Sequence, residues 1–129
     1  MIWTASRFAI IVVSLYTAYT YRLYAIEIYG LVIHEFDPWF NFRATQYLAE
    51  NGWTKFFSWF DYKVWYPLGR PVGTTIYPGM QISSVAIWRA INALGGGMSL
   101  NDVCCYVPAW FGSFATGLLA MFTYDCSGS

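Results

Sequence analysis

The chain has 129 residues, of which 57% are hydrophobic, 22% aromatic and only 11% charged, too little charge to solvate the surface of a water-soluble domain. Seven Lys and Arg balance seven Asp and Glu for a formal net charge of zero, and no basic run or patch offers to neutralise a phosphate backbone, which argues against nucleic acid as a partner. Seven Trp, eleven Tyr and ten Phe exceed what one small core buries and suit the two edges of a bilayer, so the composition predicts a membrane protein.

Residues 1–7 form a short N-terminal segment. From Phe8 to Tyr21 there is no charge; Arg22 and Glu27 then interrupt a stretch that stays apolar to Ile33. The uncharged part would rise only about 21 Å as a helix, against roughly 30 Å of hydrocarbon, so the span must run past Arg22, whose long stem can snorkel or face protein. This predicts a first transmembrane helix over 8–29. A cleaved signal peptide has an apolar core of similar length, but the single early Arg and the persistence of apolar character favour an uncleaved anchor.

Residues 30–102 form a long loop that opens His34-Glu35-Phe36-Asp37-Pro38-Trp39-Phe40-Asn41-Phe42-Arg43. A helix is predicted there, with Asp37 as its cap, Pro38 in the first turn, Phe40, Ala44, Tyr47 and Leu48 on one face, and Asn51-Gly52 as its stop. A second short helix is predicted over Trp53–Phe60 from the spacing of Trp53, Phe56, Phe57 and Phe60. The Pro- and Gly-rich run from Tyr66 to Gly79 predicts an ordered loop without regular helix. Met80 to Leu94 returns to a helical pattern, with Ile87, Trp88, Ile91 and Leu94 on one side; at about 22 Å it suits the membrane interface better than a crossing. Gly95-Gly96-Gly97 ends it.

Val103 to Tyr124 is uncharged and bracketed by Asp102 and Asp125, long enough to cross at about 33 Å. This predicts the second span, 103–124. Gly112 and Gly117 let a neighbouring helix approach, and Pro108 is tolerated where neighbours re-satisfy the backbone. Residues 125–129 read as the end of a truncated product. Cys104, Cys105 and Cys126 have no metal or redox spacing and are expected to pack as small hydrophobes. No Asn-x-Ser/Thr acceptor site occurs.

Asp37 is the residue that carries chemistry. A carboxylate a few residues beyond a span can meet a lipid-borne polar head and a hard cation together, since magnesium and manganese take carboxylate oxygens and are completed by substrate phosphates. Capping a helix is its structural alternative, and one carboxylate is too few to hold a metal alone. His34 and Glu35 match no closed metal site and are expected to be solvated or to orient Asp37. Arg43 is expected in a salt bridge or snorkelling. Arg70, held in the Pro/Gly loop, is a pre-organised candidate for a phosphate or carboxylate contact.

Glu35 to Arg43, with Trp59-Phe60-Asp61, the run Trp65-Tyr66-Pro67-Leu68-Gly69-Arg70-Pro71-Val72-Gly73 and Tyr77-Pro78-Gly79, resembles the N-terminal part of the catalytic subunits of eukaryotic oligosaccharyltransferase. The resemblance runs from about His34 to the end, including Asp102-Val103-Cys104; residues 1–33 match in character only. It implies an all-α membrane protein, an N-terminal fragment of the C-type glycosyltransferase fold with two transmembrane helices joined by a long lumenal loop carrying short amphipathic helices. It also implies a multi-pass place in the endoplasmic reticulum membrane among lipid, with the N-terminus cytosolic and the first loop lumenal.

The implied reaction moves an oligosaccharide from dolichyl pyrophosphate to the Asn amide of an acceptor polypeptide's Asn-x-Ser/Thr site. The implied cofactor is a divalent metal, Mn or Mg, with Asp37 both catalytic and a metal ligand, and further subunits of an oligosaccharyltransferase complex are implied partners. The family's later acidic motifs and its Trp-Trp-Asp-Tyr-Gly motif are not in this chain, so it is expected to be inactive alone. Two other readings stand beside this one: a fragment of a dolichyl-phosphate protein mannosyltransferase, against which the Trp65–Arg70 run argues, and a two-span assembly or scaffold subunit without catalysis.

Overall fold

A computed structural model describes residues 2–128. Among them five helices follow one another: α1 Ile2–Tyr29, α2 Phe36–Phe57, α3 Val72–Thr75, α4 Gly79–Ala93 and α5 Leu100–Ser127. There is no strand among the described residues, only one antiparallel bridge between Asp61 and Arg70. The chain divides into two units, Met1–Val32 with Cys105–Ser129, and Ile33–Cys104.

Two helical stretches, Ala5–Tyr29 and Leu100–Ser127, the greater parts of which lie in the first unit, are long and apolar enough to cross a membrane. Their side chains explain why: Phe8, Val13, Tyr16, Phe114, Leu119 and Phe122 stand exposed, a cost in water that lipid removes. The helices meet through small residues. Ser113 Oγ donates to the Leu15 carbonyl at 3.0 Å, a Cβ added at Gly117 would lie 3.3 Å from Leu15, and one added at Gly112 would strike the Arg22 side chain. Arg22 therefore faces protein, its Nη1 donating to the Ala18 carbonyl at 2.9 Å. Helix α5 starts with a reciprocal cap: the Asp102 amide donates to Ser99 Oγ, and the Ser99 amide donates to Asp102 Oδ2, both at 3.1 Å, satisfying two amides that the first turn leaves open. None of the three cysteines forms a disulfide; Cys104 is buried as expected, but Cys126 is exposed near the end of α5.

In the second unit, Ala44, Leu48, Phe56, Val72 and Val85 are buried together, with Phe40, Tyr47, Ala49, Trp59 and Ile76 packed around them. The core thus draws on α2, α3 and α4. Several predicted boundaries are corrected. The cap of α2 is Glu35, not Asp37, because Glu35 turns the backbone at φ 66° and the helix begins at Phe36; Asp37 lies within its first turn. Gly52 breaks α2 with φ 77° and ψ 179°, and the turns after it stop at Phe57 rather than Phe60. Of that aromatic set only Phe56 is core, while Trp53 and Phe60 remain exposed.

The Pro/Gly run does hold one helical turn, α3, because the Thr74 and Thr75 hydroxyls both donate to the Pro71 carbonyl and close the turn locally. Helix α4 turns Gln81, Ser84 and Val85 inward, leaving Leu94 exposed. Its packed face is therefore largely polar, the reverse of a soluble amphipathic helix.

Candidate functional site

Asp37 is exposed on the first turn of α2. Its backbone carbonyl accepts a hydrogen bond from Asn41 Nδ2 at 2.9 Å, and Asn41 Oδ1 in turn accepts one from Gln81 Nε2 at 2.9 Å. Gln81 is fully buried, so a side chain on α4 fixes the turn that bears Asp37. Gln81 Oε1 and the hydroxyl of Ser84, three residues on along α4, are buried without a hydrogen-bond partner. Asn41 is thereby held from α4, and within α2 its carbonyl accepts a 2.8 Å bond from the buried Thr45 hydroxyl.

Asp37 opens into a groove of about 600 Å³ whose lining includes Trp39, Phe40, Arg43, Gln46, Trp65 and Arg70. Two arginines and one carboxylate thus share a cleft with aromatic walls. Asp61 sets both arginines. Its buried carboxylate takes bonds of 2.6 and 3.1 Å from Arg43 Nε and Nη2 and a 2.9 Å bond from the Lys63 amide. Its backbone exchanges hydrogen bonds of 2.8 and 3.0 Å with that of Arg70. Burial pushes the Asp61 carboxyl upward, but the Arg43 hydrogen bond, the Lys63 amide and the two nearby cations more than offset it and hold the group below its ordinary value. The same hydrogen bond, set against partial desolvation, raises Arg43.

Two glycines let the loop close onto these residues. Gly69 sits at φ 72°, where a Cβ would run into the Phe60 ring and come within 3.1 Å of the Asp61 carbonyl oxygen. At Gly73 a Cβ would collide with the Phe56 carbonyl oxygen and lie 2.7 Å from the Phe57 carbonyl. Trp65, at φ 54°, and Glu35 hold backbone conformations unusual for side-chain-bearing residues, and both stand at the groove or one turn from it. Such strain persists only where the surroundings enforce it.

Of the residues singled out by sequence, the structure brings Asp37, Arg43 and Arg70 to one groove. Arg43 makes a salt bridge, one of its two expected roles. His34 and Glu35 are exposed, and the Glu35 side chain makes no capping bond. Asp61 and Gln81 were not anticipated. The available signal for Asp61 is an acid set between Phe60 and Tyr62; for Gln81 nothing in a single sequence marks it.

Among the described residues no group of three or more His, Cys, Asp and Glu gathers as a metal site. The donor chemistry still fits a hard divalent cation in part. Asp37 offers carboxylate oxygens to an open groove, which suits one position of an oxygen shell and no more.

Two apolar helices and a polar, aromatic groove on the segment joining them define an all-α membrane protein with a candidate site outside its spans. A family model described as "Oligosaccharyl transferase STT3, N-terminal" matches residues 4–125. The chain is 42% identical over 123 residues to the dolichyl-diphosphooligosaccharide–protein glycosyltransferase subunit STT3 of Saccharomyces cerevisiae, covering 95% of this chain and 17% of that one. It is 41% identical over 112 residues to the subunit STT3A of Oryza sativa, 87% and 14% respectively, and 38% identical over 121 residues to the subunit stt-3 of Caenorhabditis elegans, 94% and 16%. The chain belongs to the STT3 family, and it spans 14–17% of the length of these relatives.

Proposed function

We propose that this chain is the N-terminal part of a catalytic subunit that transfers an oligosaccharide from dolichyl diphosphate to the Asn amide of Asn-x-Ser/Thr sites in acceptor polypeptides. The single observation that carries the reading is Asp37, exposed on a pinned helical turn in a groove that also holds two arginines. The names of the relatives support the lipid diphosphate and protein as substrates.

In this reading residues 8–29 and 103–124 cross the endoplasmic reticulum membrane, 30–102 face the lumen, and other subunits of an oligosaccharyltransferase complex adjoin. Asp37 would hold a manganese or magnesium ion, which when bound stabilises negative charge on the departing diphosphate. Asp37 also accepts a hydrogen bond from the acceptor amide. An amide nitrogen is a weak nucleophile because its lone pair is delocalised into the carbonyl, and a carboxylate drawing on its N–H favours a geometry in which that conjugation is weakened. Gln81 and Asn41 keep the Asp37 turn in place, so the carboxylate needs no reorganisation when substrate arrives.

Asp37→Ala in the full-length enzyme, assayed for glycopeptide formation with manganese present, is expected to lower turnover roughly a hundredfold or more. Near-normal turnover would remove Asp37 from the mechanism. Intact activity in Asp37→Asn as well would favour an assembly subunit whose groove only packs against partners.

A further inference from the structure

Two guanidiniums line the groove, and only one has its charge answered. Arg43 is paired bidentately with the buried Asp61 carboxylate. Arg70 is held by neutral oxygens: Nε donates to Thr75 Oγ1 at 2.8 Å and Nη2 to the Thr75 carbonyl at 3.1 Å. The Thr75 hydroxyl spends its own proton on the Pro71 carbonyl at 2.7 Å, so its lone pairs remain for Arg70. The guanidinium carbon also stands 5.2 Å from the centre of the Phe40 ring and 5.8 Å from that of Trp65. Its backbone is tied to Asp61 on both sides. Arg70 is thus a cation fixed from four directions, with Nη1 and one Nη2 hydrogen left for a ligand.

We propose that Arg70 receives the diphosphate of the lipid-linked donor, a binding contact supplied by α3 and its flanking loop. The inference rests on the reading of Asp37 given above. An arginine fork matches phosphate oxygens, and one whose rotamers are already locked loses little entropy on binding. Asp37 lies in the same groove and would repel an anion by itself; a divalent cation on its carboxylate reverses that sign. Cation and diphosphate therefore favour each other's binding, with Arg70 holding the anion from a second side. Trp39 and Trp65 stand exposed on the same groove and set an aromatic wall beside the cation.

The test uses the full-length enzyme, in its complex, in lipid nanodiscs. Binding of a radiolabelled chitobiosyl-diphospho-polyprenol is measured with manganese and without acceptor peptide, and steady-state KM values for donor and acceptor are measured separately. Arg70→Gln is expected to weaken donor binding roughly ten- to a hundredfold, the worth of a charge-assisted contact, while the acceptor KM stays unchanged. Inorganic diphosphate should compete with the donor on the parent enzyme and lose potency by a similar factor on the variant.

Arg70→Lys keeps the charge but not the fork, and Thr75→Val keeps Arg70 but removes its Nε contact, leaving the carbonyl bond and so a looser hold; each should weaken donor binding by a smaller factor. These two milder variants decide the matter should Arg70→Gln not fold. Donor affinity unchanged in Arg70→Lys and Thr75→Val, or an increase confined to the acceptor KM, would overturn the proposal. An inactive Asp37→Ala alongside unaltered donor binding in the Arg70 variants would refute the Arg70 contact alone, whereas an active Asp37→Ala would refute the reading beneath it.

Discussion

Removing either member of the Arg43–Asp61 pair should destabilise the loop unit, and the two losses should differ in size. The Asp61 side chain is 3% exposed and that of Arg43 43%. Asp61→Asn takes away the charge on two hydrogen bonds but leaves an oxygen for the Lys63 amide, and the released guanidinium can turn to water. A charge-assisted bond contributes about 1.5–3 kcal/mol, and an arginine nearly half in solvent draws on the lower end of that range because water screens it, so the loss should be about 1–2 kcal/mol. Arg43→Met instead strands a buried carboxylate, and should cost about 3 kcal/mol.

The parent and Arg43→Met also respond oppositely to pH. In the parent, the Asp61 carboxyl is held below its ordinary value, so the pair's contribution is present at neutral pH and lost as the pH falls through the depressed value. In Arg43→Met burial acts without its main counterweight and raises the carboxyl; the deficit is then full at neutral pH and shrinks as the pH is lowered. Thermal unfolding in detergent reports this through Trp59, which stacks on Tyr47 at 4.0 Å and lies 5.9 Å from Arg43. Equal losses in both variants, or a double-mutant coupling under about 0.5 kcal/mol, would refute the argument.

Three further outcomes follow from the same geometry. Gly73→Ala forces a Cβ onto the backbone of Phe56 and Phe57 and should cost about 2–3 kcal/mol in thermal unfolding, whereas Gly79→Ala, with open space around it, should be neutral. Gln81→Leu removes a buried unsatisfied oxygen along with the bond to Asn41; stability should shift by less than about 1 kcal/mol, while glycopeptide formation by the full-length enzyme falls about tenfold as the Asp37 turn loosens. Glu35→Gly should raise the stability of the loop unit by about 1 kcal/mol, measured by the same melting assay, because glycine adopts the φ of 66° without strain.

Legibility of this chain in its sequence follows the range of the interactions concerned. The two apolar helices, the face formed by Phe40, Ala44, Tyr47 and Leu48, and the break at Gly52 depend on neighbours within a turn or two, and each could be read directly. The start of α2 lies earlier than Asp37-Pro38 suggests: that pair carries a strong capping pattern, yet the positive φ at Glu35 begins the helix at Phe36. Helix α3 is hidden in the sequence for a similar reason: three prolines and three glycines predict turns, while the Thr74 and Thr75 hydroxyls that close α3 act only once Pro71 is in place. The apolar stripe on α4 suits a helix lying along the membrane interface, while the residues turned inward are Gln81, Ser84 and Val85; periodicity shows which residues share a side and not whether that side meets protein or lipid.

The candidate site shows the same division. Asp37 and Arg70 were legible as residue types in favourable local settings, but their sharing of one groove depends on Asp61, which is distant from Arg43 in sequence and whose neighbours suggest only an aromatic loop. Asp61 uses its side chain to hold Arg43 and its backbone to hold Arg70. It thereby neutralises one guanidinium and places the other with its charge unanswered, so the groove keeps a single cation able to take an anion beside the exposed Asp37. Arg70 is half-buried and held by Thr75, Phe40 and Trp65, so its fork is already ordered for an oxyanion while it has no carboxylate partner. The asymmetry between Arg43 and Arg70 is therefore the physical reason to look for a ligand in this groove.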